Sequence, residues 1–162
     1  FHVIDDPSGT PINKKVTMGE MQNSLNIPVT LADAASTTLT EAANAGRLNM
    51  VQDCSQNSTY ILPTPKAGMS FKFIYIGAAT DASTHIFKTA GNTLFFKGAL
   101  QHNDNNQTGQ TTDTVFSDGN SNSIITLALP EAYEINIVGV SDTVYAVSGF
   151  TAGDTPVTFA DA

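Results

Sequence analysis

The chain has 162 residues, enough for one domain with a real core; 41% of them are hydrophobic and only 14% charged. Asp and Glu number 15 against 7 Lys and Arg, for a formal net charge of −8. No block of cations exists to displace counterions from phosphates, which argues against nucleic acid or an anionic membrane as partner.

No apolar run approaches the roughly 18 residues of a membrane span, and the first residues lack the basic, apolar, small-residue order of a signal peptide. The chain starts at Phe1, which fits either a cleaved precursor or local numbering. Cys54 is the only cysteine, so stability has to come from packing or assembly instead of an intrachain disulfide. With no His or basic residue beside it in sequence, Cys54 reads as a small buried apolar residue and not as a reactive thiol.

In chain order, residues 1–31 read as an extended N-terminal arm. Asp5-Asp-Pro-Ser-Gly-Thr-Pro11 is a turn-rich polar run suited to lying on another surface. Lys14-Lys15 is the only adjacent basic pair, either a solvated stretch or a contact with an acidic neighbour. Thr17-x-x-Glu20 matches a capping box, and Met18, Met21 and Leu25 then line one side of about two helical turns. Residues 32–46 give a second brief helical signal, with Thr38-x-x-Glu41 as its box and Gly46 as its left-handed stop.

From Arg47 the period changes to two. Leu48 to Val51 begins a strand, and Ser58 to Gly77 is the stretch around which the rest of the chain is arranged. Thr59 to Leu62 is extended, Pro63 to Gly68 turns as a hairpin or a sheet-to-sheet corner, and Met69 to Ile76 is the longest strand. In that strand Met69, Phe71, Phe73 and Tyr75 share one face, and its second half should be covered on both. Thr84 to Lys88 and Thr93 to Lys97 flank a hairpin turn at residues 89–92. Gln101 to Asp113 is almost free of apolar side chains and reads as an exposed loop. Thr114 to Ser117 and Ser123 to Leu129 flank a turn at Asp118 to Asn122. Ala132 to Val140 and Asp142 to Ser148 alternate around a Gly-containing corner, and Pro156 to Phe159 adds an edge strand.

Eight or nine short strands with turn signals every eight to twelve residues predict an all-β body over residues 32–162, an antiparallel β-sandwich or jelly-roll-like barrel with one or two short helices. No internal repeat is visible.

No catalytic constellation emerges, so the chain reads as a non-enzyme without cofactor or metal. His2, His85 and His102 lack any zinc-ligand spacing. Asp104, Asp113 and Asp118 sit in Asn-rich stretches without the EF-hand pattern, and Asx-capped turns explain them better than calcium. Glu131 and Glu134, three apart on a strand, point to opposite faces and form no acid/base pair. A small secreted hydrolase therefore has no supporting residues.

Five stretches in order carry a resemblance. Gly9-Thr-Pro-Ile-Asn-Lys-Lys-Val-Thr-Met18-Gly-Glu-Met resembles the polar connector of tailed-bacteriophage virion proteins. Leu39 to Gly46, Ser58 to Pro63 and Ala67 to Phe73 are similar to small phage β-domains found as head decoration proteins and in tail fibres. Val144-Tyr-Ala-Val-Ser-Gly149 is similar to a last strand of such domains, although the Trp frequent there is missing. The resemblance implies a virion structural protein, a capsid decoration or cement protein on the outer surface of the phage head. It implies a homotrimer that binds across major-capsid-protein subunits through the arm, with Lys14, Lys15, Met18, Met21 and Leu25 as contacts. The alternative is a receptor- or glycan-binding domain of a tail fibre or spike, using residues 101–122.

Overall fold

The computed structural model describes the backbone of residues 2–5 and 12–15, and residues 27–78, 80–105 and 111–162 in full. Strands β1 (His2–Asp5) and β2 (Ile12–Lys15) pair antiparallel, with Val3 opposite Lys14 and His2 opposite Lys15. The expected arm therefore contains a two-stranded ladder. Its helix, with Met18, Met21 and Leu25, lies outside the described residues.

The body starts at β3 (Val29–Thr30), earlier than the boundary read from sequence, and from there to the eighth strand the chain crosses between two sheets at every step. β3, β5 (Leu48–Val51) and β7 (Ser70–Tyr75) lie side by side and parallel in one sheet. β4 (Ser36–Thr38), β6 (Ser58–Ile61) and β8 (His85–Lys88) do the same in the other. Val29 lies beside Asn49, Leu48 beside Lys72, Ser36 beside Thr59 and Ser58 beside His85, so each circuit takes between 20 and 27 residues. The winding repeats although the sequence does not.

The second half closes both sheets with β9 (Phe95–Asp104), β10 (Thr111–Phe116), β11 (Ile124–Leu127), β12 (Pro130–Gly139), β13 (Val144–Gly153) and β14 (Thr158–Ala160). One sheet has seven strands in the order β10-β9-β13-β12-β7-β5-β3, the other five in the order β14-β11-β8-β6-β4.

The expected all-β sandwich is thus what forms, and its pairing is mixed. β12 pairs antiparallel with β7 and β13, β9 with β10, and β11 with β8 and β14. The coil strands, and β13 with β9, run parallel. The reason lies in the turns. Residues 63–68 are a sheet-to-sheet corner, because β6 and β7 belong to different sheets. Residues 89–92 also make a corner and not the expected hairpin; Thr89 Oγ1 donates toward the carbonyls of Gly91 (2.8 Å) and Leu94 (3.0 Å) as the chain leaves β8 for β9. A strand whose successor lies in the opposite sheet meets its next neighbour only after a full circuit, and then in the same direction.

The core fills the space between the sheets. Met69, Phe71, Phe73 and Tyr75 all point inward as their alternation predicts. They meet Phe87 from β8, with the Phe73 and Phe87 ring centroids 4.7 Å apart, and Tyr133, Ile135, Ile137 and Tyr145 join the same cluster. The other face of β7 is less covered than expected: Ile74 is half-buried, and Ile76, just past the strand's end, is 47% exposed.

Helix α1 (Glu41–Asn44) starts two residues later than the Thr38 box implied, since Thr38 belongs to β4. Thr40 caps it, accepting the Ala43 amide at 3.1 Å, while the Asn44 side chain accepts the Thr40 amide at 3.0 Å. Gly46, at φ +69°, ends it. The polar stretch 101–113 also departs from expectation. β9 runs to Asp104 and β10 begins at Thr111, and His102 turns into the core, its Nδ1 2.9 Å from Thr151 Oγ1. Pinned between β10 and β13, these residues extend because their backbones complete a ladder, whatever their side chains.

Candidate functional site

An unusual concentration of ionisable side chains lies inside the sandwich where β5 and β7 end and β8 begins. Cys54 follows β5, Asp81 lies in the β7–β8 connection, and His85 opens β8. They are 7%, 4% and 0% exposed respectively. Asp81 is held from several sides: its Oδ2 accepts the Cys54 amide at 2.6 Å, its Oδ1 accepts the Ser83 amide at 2.8 Å, and Oδ2 lies 2.9 Å from His85 Nε2. The other imidazole nitrogen, Nδ1, is 3.0 Å from the Tyr133 hydroxyl. Ser83 Oγ donates to the Cys54 carbonyl at 2.7 Å, which ties the two connections together.

Aromatic rings enclose this group. Tyr60, Tyr75 and Tyr133 each stand edge-on to the His85 ring, with centroids 5.7 to 6.3 Å away. At the solvent side the Tyr75 hydroxyl donates to Asp53, an exposed residue that also accepts the Ala78 amide.

Burial sets the charge states. It lowers the pKa of His85 below the ordinary imidazole value, against the opposing pull of Asp81. It raises Tyr60, Tyr75 and Tyr133 above the usual phenol range. The Tyr75 hydroxyl and the Ala78 amide hold Asp53 below the usual carboxylate range.

Nucleophilic catalysis does not fit this geometry. Both His85 nitrogens are engaged by Asp81 and Tyr133, while Cys54 Sγ faces the Gln52 carbonyl at 3.4 Å and the Tyr60 hydroxyl at 3.5 Å. A general base needs a free nitrogen for the thiol proton, and here the hydrogen bonds of His85 and of Cys54 Sγ go to other partners. The arrangement can instead lock three chain segments or hold an ion, since one donor atom each from Cys54, Asp81 and His85 lies within 4.8 Å of the others.

The residues singled out in the sequence fall elsewhere. Lys14 and Lys15 lie on β2, and Met18, Met21 and Leu25 lie outside the described residues. Glu134 is paired with Lys72 at 2.8 Å. Glu131, at the bulge between Pro130 and Ala132, accepts the Thr80 hydroxyl at 2.8 Å and the Asn105 amide, so the two glutamates are engaged separately. Asp118 caps its own turn, taking the amides of Asn120, Ser121 and Asn122 and the Ser121 hydroxyl.

In the sequence His85 falls within a predicted strand and Cys54 reads as a core residue, with nothing to join them. Asp81 was not singled out. The only sequence signal is Asp-x-x-x-His, which carries no spatial meaning off a helix.

The chain matches no protein-family model and no curated protein.

Proposed function

We propose that this chain is a capsid decoration or cement protein of a tailed bacteriophage, seated on the outer surface of the head across major-capsid-protein subunits, with the chain itself as a homotrimer. The observation that carries the reading is the outer face of the seven-stranded sheet. Register places Met50, Ile74, Glu134 and Phe150 in one row across it, with Ile76 and Val138 exposed to either side. Lys72 and Glu134 neutralise each other there. On a molecule of net charge −8, such an apolar and locally neutral plateau suits pressing against another subunit. Burying it would contribute at about 25 cal/mol per Å² before the cost of association. Residues 1–28, with Lys14, Lys15, Met18, Met21 and Leu25, would reach the neighbouring capsid subunits. Neither nucleic acid nor membrane enters this role.

Co-sedimentation with decoration-free phage heads tests the reading. The intact chain should bind, and a chain cut before Val29, so that β3 is kept, should lose binding while retaining its β-type circular dichroism. Hundreds of copies per purified particle would agree with a place on the head; a handful, or binding unchanged by the cut, would refute the assignment.

A second reading rests on Phe116, which is 71% exposed at the end of β10 beside the Asp118 turn. An exposed aromatic next to polar amides is what a receptor- or glycan-binding domain of a tail fibre presents. Glycan-array binding that Phe116→Ala removes would favour it.

A further inference from the structure

We propose that Cys54, Asp81 and His85 form a binding site for a divalent transition ion of the zinc type, a property independent of the role on a capsid. The site joins the β5–β6 connection, the β7–β8 connection and β8, segments that only the fold brings together.

The donor set is the first argument. A thiolate, a carboxylate and an imidazole are the three side-chain types that zinc takes, and they converge here within 4.8 Å. Two light donors each about 2.0–2.2 Å from one tetrahedral zinc ion stand about 3.4 Å apart, so His85 Nε2 and Asp81 Oδ2, now 2.9 Å apart, need to spread by only about half an ångström. The sulfur needs to close by at most about an ångström to meet a zinc–sulfur bond of about 2.3 Å. Three protein donors leave the fourth position of a tetrahedral ion open.

Charge is the second argument. Asp81 is buried, and its partners are two backbone amides and an imidazole; among the described residues no Lys or Arg reaches it. A buried carboxylate without a cation is costly, and a divalent ion held by one carboxylate, one thiolate and one neutral imidazole leaves the site with no net charge. Binding breaks the S–H bond of Cys54, forms the metal–sulfur bond and releases the proton to solvent, so affinity rises with pH.

The supporting groups are the third argument. Metal-bound imidazoles hold their second nitrogen to an oxygen, and His85 Nδ1 faces the Tyr133 hydroxyl. The carboxylate is oriented likewise, by the Ser83 and Cys54 amides.

The test uses cobalt(II) as an optical stand-in for zinc on the full chain. One equivalent should bind and give a thiolate-to-cobalt charge-transfer absorption, which excess zinc(II) displaces. Cys54 is the only cysteine, so the band in the unaltered chain identifies the ligand even if a variant misfolds. Cys54→Ser should abolish it, His102→Gln should leave it, and Tyr133→Phe should weaken cobalt binding by about 10- to 100-fold. No charge-transfer band in the unaltered chain, a band surviving Cys54→Ser, or an affinity indifferent to Tyr133→Phe would overturn the proposal.

Discussion

Replacing Gly139 with alanine tests the corner on which the two sheets turn. The Gly139 backbone is gripped twice, its amide donating to the Met69 carbonyl at 2.7 Å and its carbonyl accepting the Gly68 amide at 2.9 Å. A Cβ there would overlap the Lys66 carbonyl oxygen and stand 3.0 Å from that residue's carbonyl carbon and amide nitrogen. The obstacle is backbone, so it cannot swing aside as a side chain would, and the corner has to retreat. Retreat sacrifices both hydrogen bonds at about 1 kcal/mol each, and more if the buried groups stay unpaired, against a gain of about 0.4–1 kcal/mol from a stiffer unfolded chain. The expected loss is about 2–4 kcal/mol, in the range of core defects. Gly46→Ala is the internal control: its φ is +69°, yet nothing lies within 4 Å of the added atom. Only torsional strain of about 1–2 kcal/mol acts there, offset by the same unfolded-state gain, for a net cost of about 1 kcal/mol. Urea unfolding of both variants at unchanged slope measures the two values. A Gly139→Ala protein as stable as Gly46→Ala, or more so, would refute the idea that backbone crowding at this corner governs the fold.

Asn49, fully buried on β5, donates its side-chain amide to the carbonyls of Asn44, Arg47 and Lys72. Asn49→Leu should cost about 2–4 kcal/mol by leaving those acceptors unpaired, read from the urea midpoint. Lys72→Ala removes a half-exposed, solvent-screened pair and should leave that midpoint nearly unchanged. Chiefly through its hydrogen bond to the Lys72 ammonium, Glu134 is held below its ordinary pKa of 4.5. A depressed carboxylate stabilises above its unfolded pKa and loses that contribution as pH falls through the folded value. Carboxyl NMR titration should therefore find Glu134 below 4.5 in the parent and back near it in Lys72→Ala. Phe73→Ala, which empties the centre of the aromatic cluster, should cost about 3–5 kcal/mol; a loss under about 1 kcal/mol would mean that Phe73 is not a core residue.

The strands were legible because their alternation is a local record of burial. Met69 to Tyr75 announced its inner face, and the Gly139 to Ser141 corner between β12 and β13 stood in the sequence as a turn. The direction of pairing was hidden, since a corner and a hairpin use the same residues: Thr89 to Asn92 contains the Gly and Asn of a tight turn and nevertheless sends the chain across the sandwich. The scarcity of apolar side chains also misled where polar residues complete a ladder, as His102 does, buried opposite Thr151. The cluster of Cys54, Asp81 and His85 was invisible for a different reason. Cys54 and His85 lie on separate circuits of the coil, and only the offset of 27 residues between β6 and β8 stacks those circuits so that the connection after β5 meets the start of β8. No local rule reports such an offset.

The winding of β3 to β8 also decides how the body would carry tension. A pull on the N-terminal side arrives first at β3 and β4, strands of two and three residues at the outer edges of their sheets. Such a load strips bonds a few at a time from the rim, and each turn released adds the slack of its whole circuit before the next turn is strained. The long β12–β13 hairpin stays out of that sequence until the coil is spent, so the molecule would yield gradually at one end while its other half keeps its shape.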